Sequence, residues 1–191
     1  MNIFFLEDNP EVFPVIDYLR SCGHNLRLVR NLRDAAYCLE LEPGADSFDI
    51  FFFDVGLPAE RVDHFEKGEV TYKDRNGFNG LIFLLHNLDL LHYRTERVAI
   101  VTAYRQIIMN TEKVTIEKKS FSLQKLSAED DELRVSSEKV PKIQYKDDTG
   151  NIYGFAFFDK HGANTDRVDL SFLDKGEDDI ISQIDKFINR G

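Results

Sequence analysis

Three short stretches of the chain are apolar almost throughout, and that limits what it can fold into. Residues 2–6 read NIFFL, residues 50–53 read IFFF, and the 97–103 stretch RVAIVTA is built on VAIV. A strand with one wet face alternates apolar and polar residues. A continuous apolar run of this length suits a strand covered on both faces, as in a parallel sheet. Between these runs the apolar residues recur at helical spacing: Val12, Val15, Ile16 and Leu19 in one segment, Leu32, Ala35, Ala36 and Leu39 in the next. Asn9 and Asn31 stand where N-caps are expected, Pro10 or Pro14 suits a first helical turn, and Cys22-Gly23 ends the first helix. NLRLV (25–29) supplies another strand. The order strand, helix, strand, helix, strand predicts a parallel α/β sheet.

The rest of the chain is less regular. Residues 59–79 are polar and read as a long loop, and GLIFLLHNLDLL (80–91) as a third helix. RQIIMNTE suits a short helix, KVTIEKKSFSL a strand, and 127–139 a mobile acidic loop. KIQYKDDTGNIYGFAFF reads as two strands joined at Asp148-Thr149-Gly150, and RVDLSFLDK (167–175) as one more strand. Ile180, Ile181, Ile184, Phe187 and Ile188 form a helical stripe near the end. We expect a single domain over 1–191, with insertions at about 59–79 and about 105–165.

Charge and composition exclude some classes. With 34 acids against 24 Lys and Arg, the net charge of −10 argues against a nucleic-acid-binding surface. No run approaches the ~20 apolar residues of a membrane span, and MNIFFLEDNP lacks the basic head of a signal peptide. A cytoplasmic protein without membrane partners is expected. Cys22 and Cys38 lie in helical patterns and read as small buried hydrophobes. The histidines His24, His64, His86, His92 and His161 have no zinc spacing, and surface or partly buried positions are expected for them.

The chemistry lies at the ends of the apolar runs. The first ends at Glu7-Asp8, the third strand at Asp54, the fourth at Thr102, and a late strand at a lysine. In an open α/β sheet, ligands bind beyond the carboxyl ends of the strands. Clustered carboxylates repel unless a cation sits among them, and hard oxygen ligands suit Mg²⁺. A carboxylate exposed at such a turn can act as a nucleophile toward a phosphoryl group, with hydroxyl and ammonium groups offsetting the charge that develops.

On four features the chain resembles the receiver domain of two-component response regulators: the acidic pair Glu7-Asp8, the stretch DVGLP (Asp54 to Pro58), Gly80 opening the third helix, and VTA (101–103). The resemblance covers residues 1–103 apart from 59–79 and is loose beyond them. It implies a doubly wound, flavodoxin-like, five-stranded parallel sheet of order 2-1-3-4-5, here with a hairpin-containing insertion in the late half. It implies that Asp54 accepts a phosphoryl group from a histidine kinase or phosphotransfer protein. Mg²⁺ would be held by Asp8, Asp54 and the Gly56 carbonyl, with Glu7 in support, and Thr102 would bind the phosphoryl group. A stand-alone receiver of this kind signals through a downstream protein partner.

The family lysine departs from the pattern, because no candidate is followed by proline. Lys175 is preferred because a helix starts soon after it. Lys119 and Lys160 are the alternatives. The competing reading is a receiver-like interaction module that never carries phosphate. A phosphate-ester hydrolase of the aspartyl-phosphate type would need a second Asp two residues after the nucleophile, where this chain has Gly56 after Asp54 and Pro10 after Asp8. Taken singly, each residue has a plainer role: Asp54 a helix cap, Glu7-Asp8 an acidic helix start, Thr102 a strand end.

Overall fold

The long apolar runs do form the centre of one sheet. A computed structural model describes residues 1–9, 15–92, 95–103, 113–116, 119–124, 132–135, 138–160 and 180–189. Strands β1 (Asn2–Leu6), β2 (Asn25–Val29), β3 (Ile50–Asp54), β6 (Val98–Thr102) and β11 (Ile152–Asp159) lie parallel, in the order β2-β1-β3-β6-β11. Successive side chains of a strand point to opposite faces, which is why these runs are apolar at every position. Ile3, Phe5, Ile50, Phe52, Ala99, Val101, Ala156 and Phe158 pack on one face. There they meet α1 (Val15–Ser21) and α4 (Ile180–Ile188). Phe4, Leu6, Phe51, Phe53, Val98, Ile100, Phe155 and Phe157 pack on the other, under α2 (Leu32–Glu40) and α3 (Asn79–His86). The Phe-rich runs stack across strands, with the rings of Phe5 and Phe52 at 5.0 Å.

The five-stranded, all-parallel flavodoxin-like sheet is not what forms. Among the described residues the sheet has nine strands and is mixed. Beyond β11 it continues antiparallel through β10 (Glu138–Asp147), β8 (Lys119–Gln124) and β7 (Lys113–Ile116), while β9 (Glu132–Val135) pairs with β10. The physical reason lies in the connections. A parallel neighbour needs a long crossover, but an antiparallel one needs only a tight turn. Asp148-Thr149-Gly150 provides that turn, with Gly150 at φ 96°. Asp147 holds it by accepting from Thr149 N, Asn151 N and the Tyr153 hydroxyl. The strands β7–β10, expected within an insertion, therefore extend the sheet. The strand beside β6 is β11, from within the 105–165 stretch. The 167–175 strand and the 105–112 helix lie outside the described residues, as do Val12, Pro10 and Pro14.

Other expectations change as well. Residues 59–79 contain an antiparallel hairpin, β4 (Glu60–His64) and β5 (Gly68–Tyr72), rather than a loop. Its Val62, His64, Val70 and Tyr72 are buried, so apart from His64 its polar composition reflects its wet face. Within 127–139, β9 and the start of β10 are strands. Cys38 is buried as expected, but Cys22 is exposed. His64 is buried, 2% exposed. Asn31 does cap α2, its side chain accepting from Asp34 N at 2.7 Å. Among the described residues, no helix is long and apolar enough to cross a membrane.

Candidate functional site

The parallel strands deliver the acids to one edge. β1 runs out at Leu6, opposite Phe53 of β3, so the following residues Glu7 and Asp8 fall beside Asp54. Carboxylate oxygens of Glu7, Asp8 and Asp54 lie within 4.8 Å of one another. Glu7 and Asp54 are buried, and Asp8 is partly open to solvent. On the far side, β11 lies against β6 with Asp159 opposite Thr102, while Asp54 of β3 is opposite Val101. Thr102 therefore ends a strand held between those that carry Asp54 and Lys160, and it is fully buried.

The ammonium comes from Lys160, one residue past β11. Its Nζ lies 2.5 Å from Glu7 Oε2 and 2.8 Å from Asp54 Oδ2. Of the three lysines weighed, Lys160 is the one the structure places among the carboxylates. Lys175 lies outside the described residues, and the backbone of Lys119 belongs to β8, two strands away from β11. The signal for Lys160 was present in FAFF (155–158), an unbroken apolar run like those of β1 and β3. Pairing it with β10 as a hairpin hid that its other edge is free to join β6.

The loop after Asp54 is tightly held. Gly56 N donates to Asp54 Oδ1 at 3.2 Å. The Val55 carbonyl accepts from Gly80 N at 3.1 Å, and the Leu57 carbonyl from Asn79 Nδ2 at 2.7 Å. Asn79 is buried, and its Oδ1 accepts from Asp74 N at 2.7 Å. Sequence reasoning singled out Gly80 but missed its neighbour Asn79, which ties the loop to α3.

No family model matches the chain, and no curated protein matches it either. What the site can do has to be read from its chemistry.

Among the described residues three carboxylates share one ammonium, so with all of them ionised this cluster is two charges short of neutral. Burial pushes the Glu7 carboxyl up to about 7, and the Asp54 charge adds to that shift while Lys160 opposes it. Asp8 is raised for the same two reasons, burial first and then Asp54. Burial alone would lower the Lys160 ammonium, but Asp54 and Glu7 outweigh it and the net shift is upward. Hard oxygen donors with uncompensated negative charge fit a hard divalent cation. Glu7, Asp8 and Asp54 would hold it.

The Glu7 shift sets a pH dependence. A carboxyl whose folded pKa is raised contributes stability that is present below its unfolded value and is lost as pH rises through the folded one. With a chelator present, unfolding free energy should therefore decline between about 4.5 and about 7 through this group. Urea titrations of Glu7→Gln and the parent protein across that range check it. The difference between the two should change through the window, and parallel curves would show that Glu7 titrates normally.

Proposed function

We propose that the protein is a receiver-like phosphoacceptor that takes a phosphoryl group on Asp54 in the presence of Mg²⁺. The observation that carries this reading is the pairing of Lys160 with both Glu7 and Asp54 at the carboxyl ends of the parallel strands. In the reaction an Asp54 carboxylate oxygen attacks phosphorus. The new P–O bond forms as the bond from phosphorus to the donor's leaving atom breaks, and the leaving group departs with the bonding pair. The product is an aspartyl phosphate, which water returns to carboxylate and inorganic phosphate. Lys160 sits where it can bind a phosphoryl oxygen and offset charge in the transition state. Thr102 supplies a hydroxyl at the end of the adjacent strand. Gly56 N holds the second Asp54 oxygen, which orients the nucleophile. Mg²⁺ bound by Glu7, Asp8 and Asp54 would neutralise phosphoryl charge. A phosphohistidine on a kinase or phosphotransfer protein is the donor proposed, with a protein partner downstream and a cytoplasmic setting.

The burial of Asp54, 4% exposed, favours a second reading: a receiver-like interaction module in which the acids bind a divalent cation structurally. Intact-mass measurement separates the two. With Mg²⁺ and acetyl phosphate, a gain of one phosphoryl group is expected, absent in Asp54→Asn and without Mg²⁺. No gain would sink the phosphoacceptor reading, and Mg²⁺ binding by titration calorimetry without that gain would favour the second.

A further inference from the structure

The hairpin β4–β5 is tied to the Asp54 loop through both ends of α3. At the start of α3, Gly80 N and Asn79 Nδ2 hold the Val55 and Leu57 carbonyls, and the Gly80 backbone lies against the Asp54 carbonyl. At its end, His86 Nδ1 meets the Tyr72 hydroxyl of β5 at 2.7 Å. The Lys67 ammonium of the hairpin turn reaches the His86 carbonyl at 2.9 Å, Asn87 Oδ1 at 3.2 Å and Asp89 Oδ1 at 2.8 Å. α3 has eight residues, so about 12 Å of helix joins the two sets of contacts.

The chain of contacts continues through the hairpin to α2. The Tyr72 hydroxyl meets His64 Nε2 at 2.6 Å, and His64 Nδ1 meets Glu40 Oε1. Glu40 Oε2 accepts from Phe65 N at 2.7 Å, and Glu60 Oε2 accepts from Leu32 N, in the first turn of α2, at 2.8 Å. His64, Tyr72 and Asn87 are buried. A carboxylate only accepts, so with neutral imidazoles the proton positions follow in turn. His64 Nδ1 carries its hydrogen to Glu40, Tyr72 donates to His64 Nε2, and His86 Nδ1 donates to the Tyr72 oxygen. Each of these three links then has one hydrogen, and Asn87 Nδ2 also lies 3.5 Å from the Tyr72 hydroxyl. Hydrogen bonds weaken steeply with distance and angle, so a small shift of α3 cannot be absorbed at Tyr72 without loss.

Resting on the phosphoacceptor reading above, we propose that the hairpin reports the state of Asp54. A change at the Asp54 carboxylate moves the loop pinned to α3, and α3 passes the shift to Tyr72 and Lys67. The output then includes the α2–hairpin corner, whose tip carries Phe65 at 74% exposure.

Hydrogen exchange read by mass spectrometry tests this on the full chain, with Mg²⁺ and with or without acetyl phosphate. The strands β1 and β3 serve as internal reference, and intact mass monitors uptake in each sample. Amides of residues 60–72 should change exchange rate by roughly fivefold or more on phosphorylation, the usual scale of coupling between sites. Tyr72→Phe and Lys67→Met should take up phosphate but lose that response. Lys67 is near the surface, so its variant carries the test if Tyr72→Phe fails to fold. Phosphate uptake with an unchanged hairpin would overturn the inference and leave the phosphoacceptor reading standing. A full response in both variants would overturn the route through α3. No uptake by the parent protein would overturn both.

Discussion

Gly80→Ala is expected to destabilise the protein by about 3 kcal/mol or more, at the upper end of what forced overpacking costs. A Cβ built on Gly80 falls on the Asp54 carbonyl oxygen, with the carbonyl carbon at 2.9 Å and Leu57 Cδ1 at 3.1 Å. The nearest atoms belong to backbone. β3 is paired on both sides, with β1 and β6, so it cannot retreat. Relief would have to come from α3, whose first turn is tied to the same loop by Gly80 N and Asn79. Helix propensity predicts the opposite sign, since alanine is favoured over glycine inside a helix by up to ~1 kcal/mol. Thermal melts decide between them. At roughly 2–4 °C per kcal/mol for a chain of this size, a fall of about 6–12 °C is expected. A variant as stable as the parent would mean that α3 does not sit against Asp54 this closely. Serine should behave like alanine, because the obstacle is the first side-chain carbon.

That contact shows what was legible in the sequence. Gly80 was recognisable as the opening of α3, though its reason, a close approach to Asp54, is a tertiary fact. The strands β1, β3 and β6 were readable because burial on both faces leaves an apolar run that ends abruptly at a polar residue. β11 has the same signature in FAFF, but a turn signal just before it suggested a hairpin and nothing more. A strand has two edges, and local sequence speaks for only one of them. β4 and β5 are not legible as strands because one face is wet and their apolar core contribution reduces to Val62, Val70 and Tyr72. His64 is buried because Glu40 and Tyr72 satisfy both of its ring nitrogens. Those partners are 24 and 8 residues away, beyond any local pattern. The acidic cluster was legible because each acid closes a strand. Its cation was ambiguous because three lysines each follow a stretch of strand-like sequence.

Lys160→Met settles that ambiguity energetically. The variant keeps an unbranched side chain and removes the ammonium, leaving Glu7 and Asp54 as buried carboxylates without their shared counter-charge. Breaking a buried pair from one side costs about 3–5 kcal/mol, and that loss is expected here in alkaline buffer, where Glu7 as well as Asp54 is ionised, in the presence of a chelator. Glu7→Gln in the same background should recover part of it, because one of the stranded charges is then gone. Residues in direct contact couple by roughly 0.5–3 kcal/mol, and the 2.5 Å Lys160–Glu7 contact places this pair toward the upper end. A divalent cation should also recover part of the loss, since it supplies the positive charge that Lys160 withdrew. Lys175→Met and Lys119→Met should show neither the loss nor the rescue. Denaturant midpoints with chelator and with Mg²⁺ measure all of this in one series. If Lys160→Met matched the parent while Lys175→Met fell by several kcal/mol, the ammonium beside Asp54 would have been misassigned. The same variants give a kinetic comparison at Asp54. Loss of Lys160 removes the only cation among the described residues that contacts the carboxylate, so phosphoryl uptake should slow even where Mg²⁺ has restored the fold. A variant that regained stability with Mg²⁺ and accepted phosphate at the parent rate would confine Lys160 to holding the two carboxylates together.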